Sequence, residues 1–413
     1  MNILLIINTV LCILLVLCYA YQFVFIIVSY TAKKKNYPES TSQRLAVMVC
    51  ARDEESVIGR IIDSLKLQSY PSDKFDVFVL ADNCSDSTYD VAVRHGAKAY
   101  KRTDKSKIGK GYALDYLVRR IRADSGHDTY DAFLVFDADN TVDENYLTEA
   151  CRLLGAGYDC ITSYRCPSNY GDSWISAGQG MCFLRDTVLL NRARMAIGGV
   201  SFVSGTGFMF TRKLCDRLGG GWPFHTLTED CEFTAWCATE GIRMGYCDSA
   251  VFYDEQPISF SESWHQRLRW SRGGIEVFRR YFHRLLRGLF SENFLASFDI
   301  SLCMAPAYLI SVAATVINTV GAIISLIITK DLVLTLTGVL SMLTGVYLGF
   351  LCFSIPLTVS EWKRLRARAS KKILYIFTFP LFMLTFLPIV CVALVKKNVV
   401  WKKTQRKISE NNP

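Results

Sequence analysis

No two of the fifteen cysteines in this 413-residue chain are spaced as Cys-x-x-Cys, and several sit inside apolar runs (Cys12, Cys18, Cys303, Cys352, Cys391). That scatter excludes a disulfide framework and a zinc site, and leaves reduced cytosolic thiols as the expectation. Charge is sparse as well, at 21% of residues, and mean hydropathy is positive at +0.20. Such a composition excludes a disordered chain. The first thirty residues lack the basic start and the small-residue cleavage site of a secretory signal, so they are expected to be an anchor. The net charge of +9 does not point to nucleic acid. Its basic clusters, at 33–35, 279–287, 363–372 and 396–407, adjoin apolar stretches, where juxtamembrane charge is the better account.

What the chain has in quantity is hydrocarbon, 51% of residues, unevenly placed. Residues 3–30 as a helix would measure about 42 Å, more than the roughly 30 Å apolar core of a bilayer. Lys33, Lys34 and Lys35 follow, which places the next domain in the cytoplasm. Three more apolar stretches come late, at 303–329, 332–358 and 373–395. Lys330-Asp331 between the first two fits a tight hairpin. Between the second and third, the basic amphipathic piece 361–368 is expected along the cytoplasmic surface. Three full crossings would put the basic tail outside, against its charge. Pro380 and Pro388 make the last stretch a candidate for a broken or re-entrant segment. The expected organisation is an anchor at 1–32, a cytoplasmic catalytic domain at 40–290, membrane and interfacial helices at 291–395 and a basic tail at 396–413.

Between the anchor and the late spans, residues 44–51, 75–81 and 132–136 are continuous apolar runs of strand length. They alternate with helical periodicity at 56–67 and 112–121. This pattern predicts an α/β domain with a parallel sheet covered on both faces. In such sheets ligands bind at the carboxyl ends of the strands. Those ends carry Asp53, Asp82 and the pair Asp137/Asp139. Taken singly, each loop could be a solvated turn, since Asp and Asn favour turns. Together they suggest one site for a nucleotide or a divalent cation. In an extended segment Asp137 and Asp139 project to one side, about 6–7 Å apart. Hard oxygen ligands that leave room for a diphosphate suit Mg²⁺ or Mn²⁺.

Three later segments have structural as well as functional readings. Residues 202–210 (FVSGTGFMF) are either a core strand with a bulge or a loop whose backbone approaches a ligand closely. Thr228-Glu229-Asp230 is either a helix start, with Thr228 as the cap, or part of a site. Gln266-Arg267-Leu268-Arg269-Trp270 lies on a basic amphipathic stretch that could simply rest on the membrane.

Read in order, Asp53, Asp82, Lys110 between Gly109 and Gly111, Asp137-Ala138-Asp139, 202–207, Thr228-Glu229-Asp230 and Gln266-x-x-Arg269-Trp270 resemble the membrane-integrated, processive family 2 glycosyltransferases. That group includes cellulose, hyaluronan and poly-N-acetylglucosamine synthases. The resemblance covers about residues 44–275. It implies a GT-A type nucleotide-diphospho-sugar transferase domain with α-helical transmembrane segments, bound to Mg²⁺ or Mn²⁺. It further implies that Asp53 and Asp82 contact the uridine, Lys110 and Arg269 the diphosphate, and Asp137 the ribose and phosphates, with Asp139 as metal ligand. Asp230 would be the base, Glu229 its neighbour in positioning, and Gln266, Trp270, Gly205 and Thr206 would contact the acceptor.

One base and direct displacement imply inversion, so an α-linked donor yields a β-linkage. The expected reaction is transfer of hexose from a UDP-sugar, leaning to UDP-glucose, onto a growing polysaccharide such as a cellulose-like or mixed-linkage β-glucan, with coupled export at the plasma membrane. Few spans are present for a channel, which leaves room for an accessory subunit or a second copy. The alternatives are an N-acetylglucosamine polymer or single-sugar transfer to a lipid. A non-enzymatic nucleotide sensor would bind UDP-sugar without turnover, and Asp139 and Asp230 argue against it. Trp401 in the tail also resembles tails that return to the active site in related enzymes.

Overall fold

The computed structural model describes residues 2–33, 35–304, 306–396 and 399. Trp401 and most of the basic tail lie outside the described residues.

The apolar runs form one eight-stranded sheet: β1 (Leu45–Ala51), β2 (Phe75–Asp82), β3 (Lys98–Arg102), β4 (Ala132–Asp137), β5 (Thr141–Val142), β6 (Cys160–Pro167), β7 (Phe208–Thr211) and β8 (Met244–Asp254). Their order is β3-β2-β1-β4-β7-β6-β8-β5. The three strands read from the sequence, β1, β2 and β4, are parallel, and so is β3, which had not been read. The all-parallel expectation fails beyond β4: β7 runs antiparallel to both β4 and β6, and β5 antiparallel to β8. The cause is local. The loop before β7 turns at Gly205 and Gly207, with φ of 81° and 62°. Gly207 N donates to Val135 O at 2.9 Å, which starts the reversed strand against β4.

Both faces of the sheet are covered. Helix Ile58–Lys66 buries Ile58, Ile61, Ile62 and Leu65, the i, i+3, i+4, i+7 positions of one face. Burying side chains of this size contributes about 1.5–3 kcal/mol each. Helix Tyr146–Gly155 lies on the same side, in one core with β1 and β4. Helices Lys110–Ser125, Glu229–Glu240 and Phe260–Gly288 cover the other side, around Trp222, Phe208, Phe210 and Phe233. Among the described residues no cysteine forms a disulfide.

Among the described residues, four segments are long and apolar enough to cross a membrane: Thr9–Thr31, Leu309–Thr329, Leu332–Ser360 and Ala369–Val395. The hairpin at Lys330-Asp331 forms as expected, with Asp331 Oδ1 accepting from Leu334 N at 2.9 Å to cap the next helix. The last segment is broken into helices Ala369–Leu384 and Phe386–Val395, which meet at Thr385. The basic piece 361–368 is a turn against the sheet. Tyr164 OH donates to Glu361 Oε2 at 2.7 Å, Arg364 lies over the Tyr164 ring at 4.2 Å, and Arg366 lies over Tyr253 at 4.3 Å.

Candidate active site

Register brings the acidic residues together. Ala51 lies beside Ala81 and Cys50 beside Asp137, so β1, β2 and β4 end at one edge. Asp53 and Asn83 both have left-handed backbones, φ 56° and 53°. Non-glycine residues held there cost energy and cluster at functional sites. The two loops brace each other: Asp53 Oδ1 accepts from Ser85 N at 2.6 Å and from Ser85 Oγ at 3.1 Å. Asp82 is buried, with Oδ1 accepting from Arg102 Nη1 at 2.6 Å. Burial raises its pKa, and Arg102 opposes the rise. Arg102 had no signal in the sequence beyond its charge. It is held in turn by donating to Lys107 O at 2.6 Å.

Lys110 opens helix Lys110–Ser125 after Gly109. Its ammonium pairs with Asp137 and donates to Gly205 O at 2.6 Å. Burial alone would lower its pKa, but the charges of Asp137 and Glu229 outweigh it and hold Lys110 above its ordinary value. Asp137 N donates to Thr206 Oγ1 at 3.0 Å and to Asn140 Oδ1 at 3.2 Å, and the Thr206 hydroxyl donates to Asn140 Oδ1. The 202–207 segment is therefore a loop against the Asp137-Ala138-Asp139 turn.

Glu229 and Asp230 begin helix Glu229–Glu240. Thr228 occupies the cap position without a side-chain cap bond, so the simple capping account of this motif fails. Asp230 Oδ1 accepts from Cys231 N at 2.8 Å. A Cβ on Gly205 would lie 3.2 Å from Asp230 Oδ2, which puts the acid against the loop that also holds Lys110. Burial, then the neighbouring Asp230 charge, push Glu229 up to about 7, and burial raises Asp230 too. A carboxylate poised near neutrality is suited to proton transfer.

The Gln266–Trp270 segment lies within helix Phe260–Gly288. Arg269 Nη1 donates to Leu227 O at 2.9 Å, just before the acid pair, and its charge favours the ionised form of both acids. Trp270 and Phe183 pack edge to face, with centroids 5.4 Å apart, and Arg165 lies over the Phe183 ring at 3.5 Å. Gln266 Oε1 accepts from Gln179 Nε2 at 2.5 Å. One connected patch thus joins Lys110, Asp137, Asp139, Gly205, Thr206, Glu229 and Asp230. Asp53 and Asp82 flank it on the neighbouring strand ends, and Gln266 and Trp270 form a separate wall.

Asn140, Arg165, Asp254, Gln179 and Gln256 support this site and were not found in the sequence. Only the adjacency of Asn140 to Asp139 could have flagged any of them. Asp137 and Asp139 are half-buried carboxylates at a strand end, a hard-oxygen donor set that fits Mg²⁺ or Mn²⁺. Ligand atoms of Asp53, Cys84 and Asp86 also lie within 4.8 Å of one another. There, however, Asp53 and Asp86 already accept from Ser85 and Thr88.

Residues 42–273 match the family described as glycosyltransferase like family 2. Over 244 residues, 58% of this chain and 49% of the relative, the sequence is 25% identical to a beta-monoglucosyldiacylglycerol synthase of Synechocystis sp.. Over 258 residues, 58% of this chain and 57% of the relative, it is 21% identical to a poly-beta-1,6-N-acetyl-D-glucosamine synthase of Staphylococcus aureus. The chain spans about half the length of these curated relatives. In fold it is similar to a mannosyltransferase from Pyrobaculum calidifontis solved in complex with GDP-Man and Mn²⁺, with a TM-score of 0.62 at 15% identity, over 94% of this chain and 98% of that one.

Proposed function

Because the chain belongs to glycosyltransferase family 2 and is a hexosyltransferase that uses a nucleotide sugar, we propose that it is an inverting polysaccharide synthase. In this reading it extends a β-linked chain from a UDP-sugar, with UDP-glucose and a β-glucan as the favoured pair. The observation that carries the reading is the Gln266 and Trp270 wall on the helix that also carries Arg269. Trp270 and Gln266 stand one turn apart on the helix whose Arg269 faces the acid pair. A flat aromatic ring with an amide next to it suits the face and hydroxyls of a terminal sugar.

The roles follow from the charges. Departure of UDP places negative charge on a diphosphate, for which Lys110 and Arg269 are the available cations. A divalent cation held by Asp139 would supply further neutralisation of that charge, with Asp137 beside the ribose and phosphates. Asp230 takes the proton from the acceptor hydroxyl, with Glu229 sharing the burden of the buried charge. Asp53 and Asp82 take the uridine end. Gly205 and Thr206 form the floor under the acceptor. The division into anchor, cytoplasmic domain at 40–290 and late helices belongs to the same proposal, with the bilayer as a partner.

A second reading, transfer of one sugar to a lipid, is favoured by a specific observation. The spans Leu309–Thr329 and Leu332–Ser360 have only 6% of their apolar windows buried. Helices so little packed on one another do not by themselves build a polar conduit for a sugar chain. The polymer reading therefore calls for a second copy or a partner subunit, whereas the lipid reading does not. The name of the Synechocystis relative points the same way.

One experiment separates the two. Purified protein in nanodiscs is given Mg²⁺ or Mn²⁺ and each radiolabelled UDP-sugar in turn, and products are digested with linkage-specific glycosidases. High-molecular-weight product from UDP-glucose supports the synthase. Label confined to an organic-extractable single-sugar product overturns it in favour of the lipid transferase.

A further inference from the structure

A buried chain of side-chain amides runs from Asp139 to Gln266, and the reaction described above uses none of the residues between those ends. It starts at Asp139, whose Oδ1 accepts from Asn140 Nδ2 at 3.3 Å; the same nitrogen donates to Asp254 Oδ1 at 3.2 Å. Asp254 ends β8 and is paired with Arg165 of β6, whose Nε donates to Oδ2 at 2.7 Å. Gln256 Nε2 donates to the same Oδ2 at 2.5 Å. Gln179 Nε2 then donates to Gln256 Oε1 at 3.2 Å and to Gln266 Oε1 at 2.5 Å. Ser263 Oγ, one turn before Gln266, donates to Gln179 Oε1 at 2.8 Å. Asn140, Asp254, Gln256, Gln179 and Ser263 are each at most 4% exposed.

The direction of every amide in this chain is forced. A carboxylate only accepts, so Gln256 must turn its NH₂ toward Asp254 and its carbonyl toward Gln179. Gln179 must answer with its NH₂, leaving its own carbonyl for the Ser263 hydroxyl. The same NH₂ then takes the carbonyl of Gln266. Among the described residues the Gln266 NH₂ donates to nothing, so it is the end left for a ligand. A flipped amide anywhere in the chain would set donor against donor, at the cost of an unmade buried hydrogen bond.

We infer that Gln179 is a positioning residue that dictates the polarity Gln266 presents to the acceptor: N–H donors outward, matched to a sugar oxygen. It acts through Gln266 and touches neither substrate. The inference rests on the proposed reading of Gln266 as an acceptor contact.

The test uses the full chain in nanodiscs with UDP-glucose as donor and cellotetraose as acceptor, measuring acceptor KM, kcat and UDP release to water. Gln179→Glu keeps the shape but offers only acceptors when ionised, so Gln266 must turn its NH₂ inward. The expected result is an acceptor KM raised about ten- to hundredfold, the scale of a mismatched buried hydrogen bond, with UDP release to water unchanged. Gln179→Met, apolar and of similar length, guards against a folding failure and should raise KM by less. In a Gln266→Ala background, Gln179→Glu should raise the acceptor KM no further, because its effect on the acceptor is transmitted through that side chain; any loss through Gln256 should appear in stability and not in acceptor KM. Additive losses, or an unchanged acceptor KM in Gln179→Glu while Gln266→Ala raises it, overturn the positioning role and leave the acceptor reading intact. An unchanged KM in Gln266→Ala itself overturns the acceptor reading, and the inference with it.

Discussion

At the scale of single residues, the proposed chemistry turns on Asp230 and Glu229. Both carboxyls are held above their ordinary range, Glu229 at about 7, chiefly because burial penalises the charge. Asp230→Asn should lower transfer by about 10²- to 10⁴-fold, the usual contribution of a positioned base. UDP binding, measured by calorimetry, should stay nearly intact; equal loss of both would count against Asp230 as base. The sign of the pH dependence follows from the same shift. A base must be unprotonated, so kcat should rise with pH along a limb that burial sets above the ordinary aspartate range. Glu229→Gln removes the neighbouring charge and should move that limb to lower pH. Stability runs the opposite way: with a folded pKa near 7 against an ordinary 4.5, the contribution of Glu229 is lost as pH rises between those values. Trp270→Ala should slow elongation more than UDP-sugar hydrolysis, and a uniform loss of the two rates would argue against stacking on the acceptor.

At the scale of elements, the site depends on how closely backbones approach. Helix Lys110–Ser125 meets the segment leading to Thr228 at Gly111, where a Cβ would lie 2.0 Å from Phe224 O and 3.2 Å from His225 Cα. Backbone cannot yield as a flexible side chain does. Gly111→Ala should therefore push apart the Lys110 and Glu229 ends, destabilising the domain by about 1–3 kcal/mol. It should also reduce kcat more than a comparable change at Gly321, which has nothing within 4 Å. Thermal unfolding in detergent alongside kcat checks both halves of this expectation.

The same scale explains what could be read in advance. β1, β2 and β4 announced themselves as uninterrupted apolar runs ending in acids, because strands buried on both faces need no polar alternation. The four-residue β7 could not, since its neighbours are glycines and its direction is set by the turn at Gly205 and Gly207. The motif residues were legible because short-range spacing carries them. The amide chain was not: Asn140, Gln179, Gln256 and Gln266 are far apart in sequence, and hydrogen-bond direction leaves no periodic trace.

At the scale of the whole molecule, the question is what ties the long apolar helices to the loop at 202–207. Arg194 and Asp299 form a buried ion pair, with Nε to Oδ2 at 2.6 Å and Nη2 to Oδ1 at 3.1 Å. Asp299 belongs to helix Phe294–Met304, which leads into the late spans. Cys303 of that helix lies 3.6 Å from Tyr21 of the N-terminal helix. On the other side, Arg194 Nη1 donates to Asn191 Oδ1 at 2.9 Å, and Asn191 holds Phe202 by both its N–H and its carbonyl, at 2.8 and 2.9 Å. Phe202 opens the loop that carries Gly205 and Thr206. Removing one member of such a pair strands the other charge in the interior, at about 3–5 kcal/mol, whereas replacing both with apolar residues is often neutral. Asp299→Ala should thus destabilise the protein by that amount and lower activity. Arg194→Met with Asp299→Leu should recover the stability but not the activity, because Asn191 loses the donor that orients it toward Phe202. If the double variant recovered both, the pair would serve packing alone and the loop would be held from elsewhere.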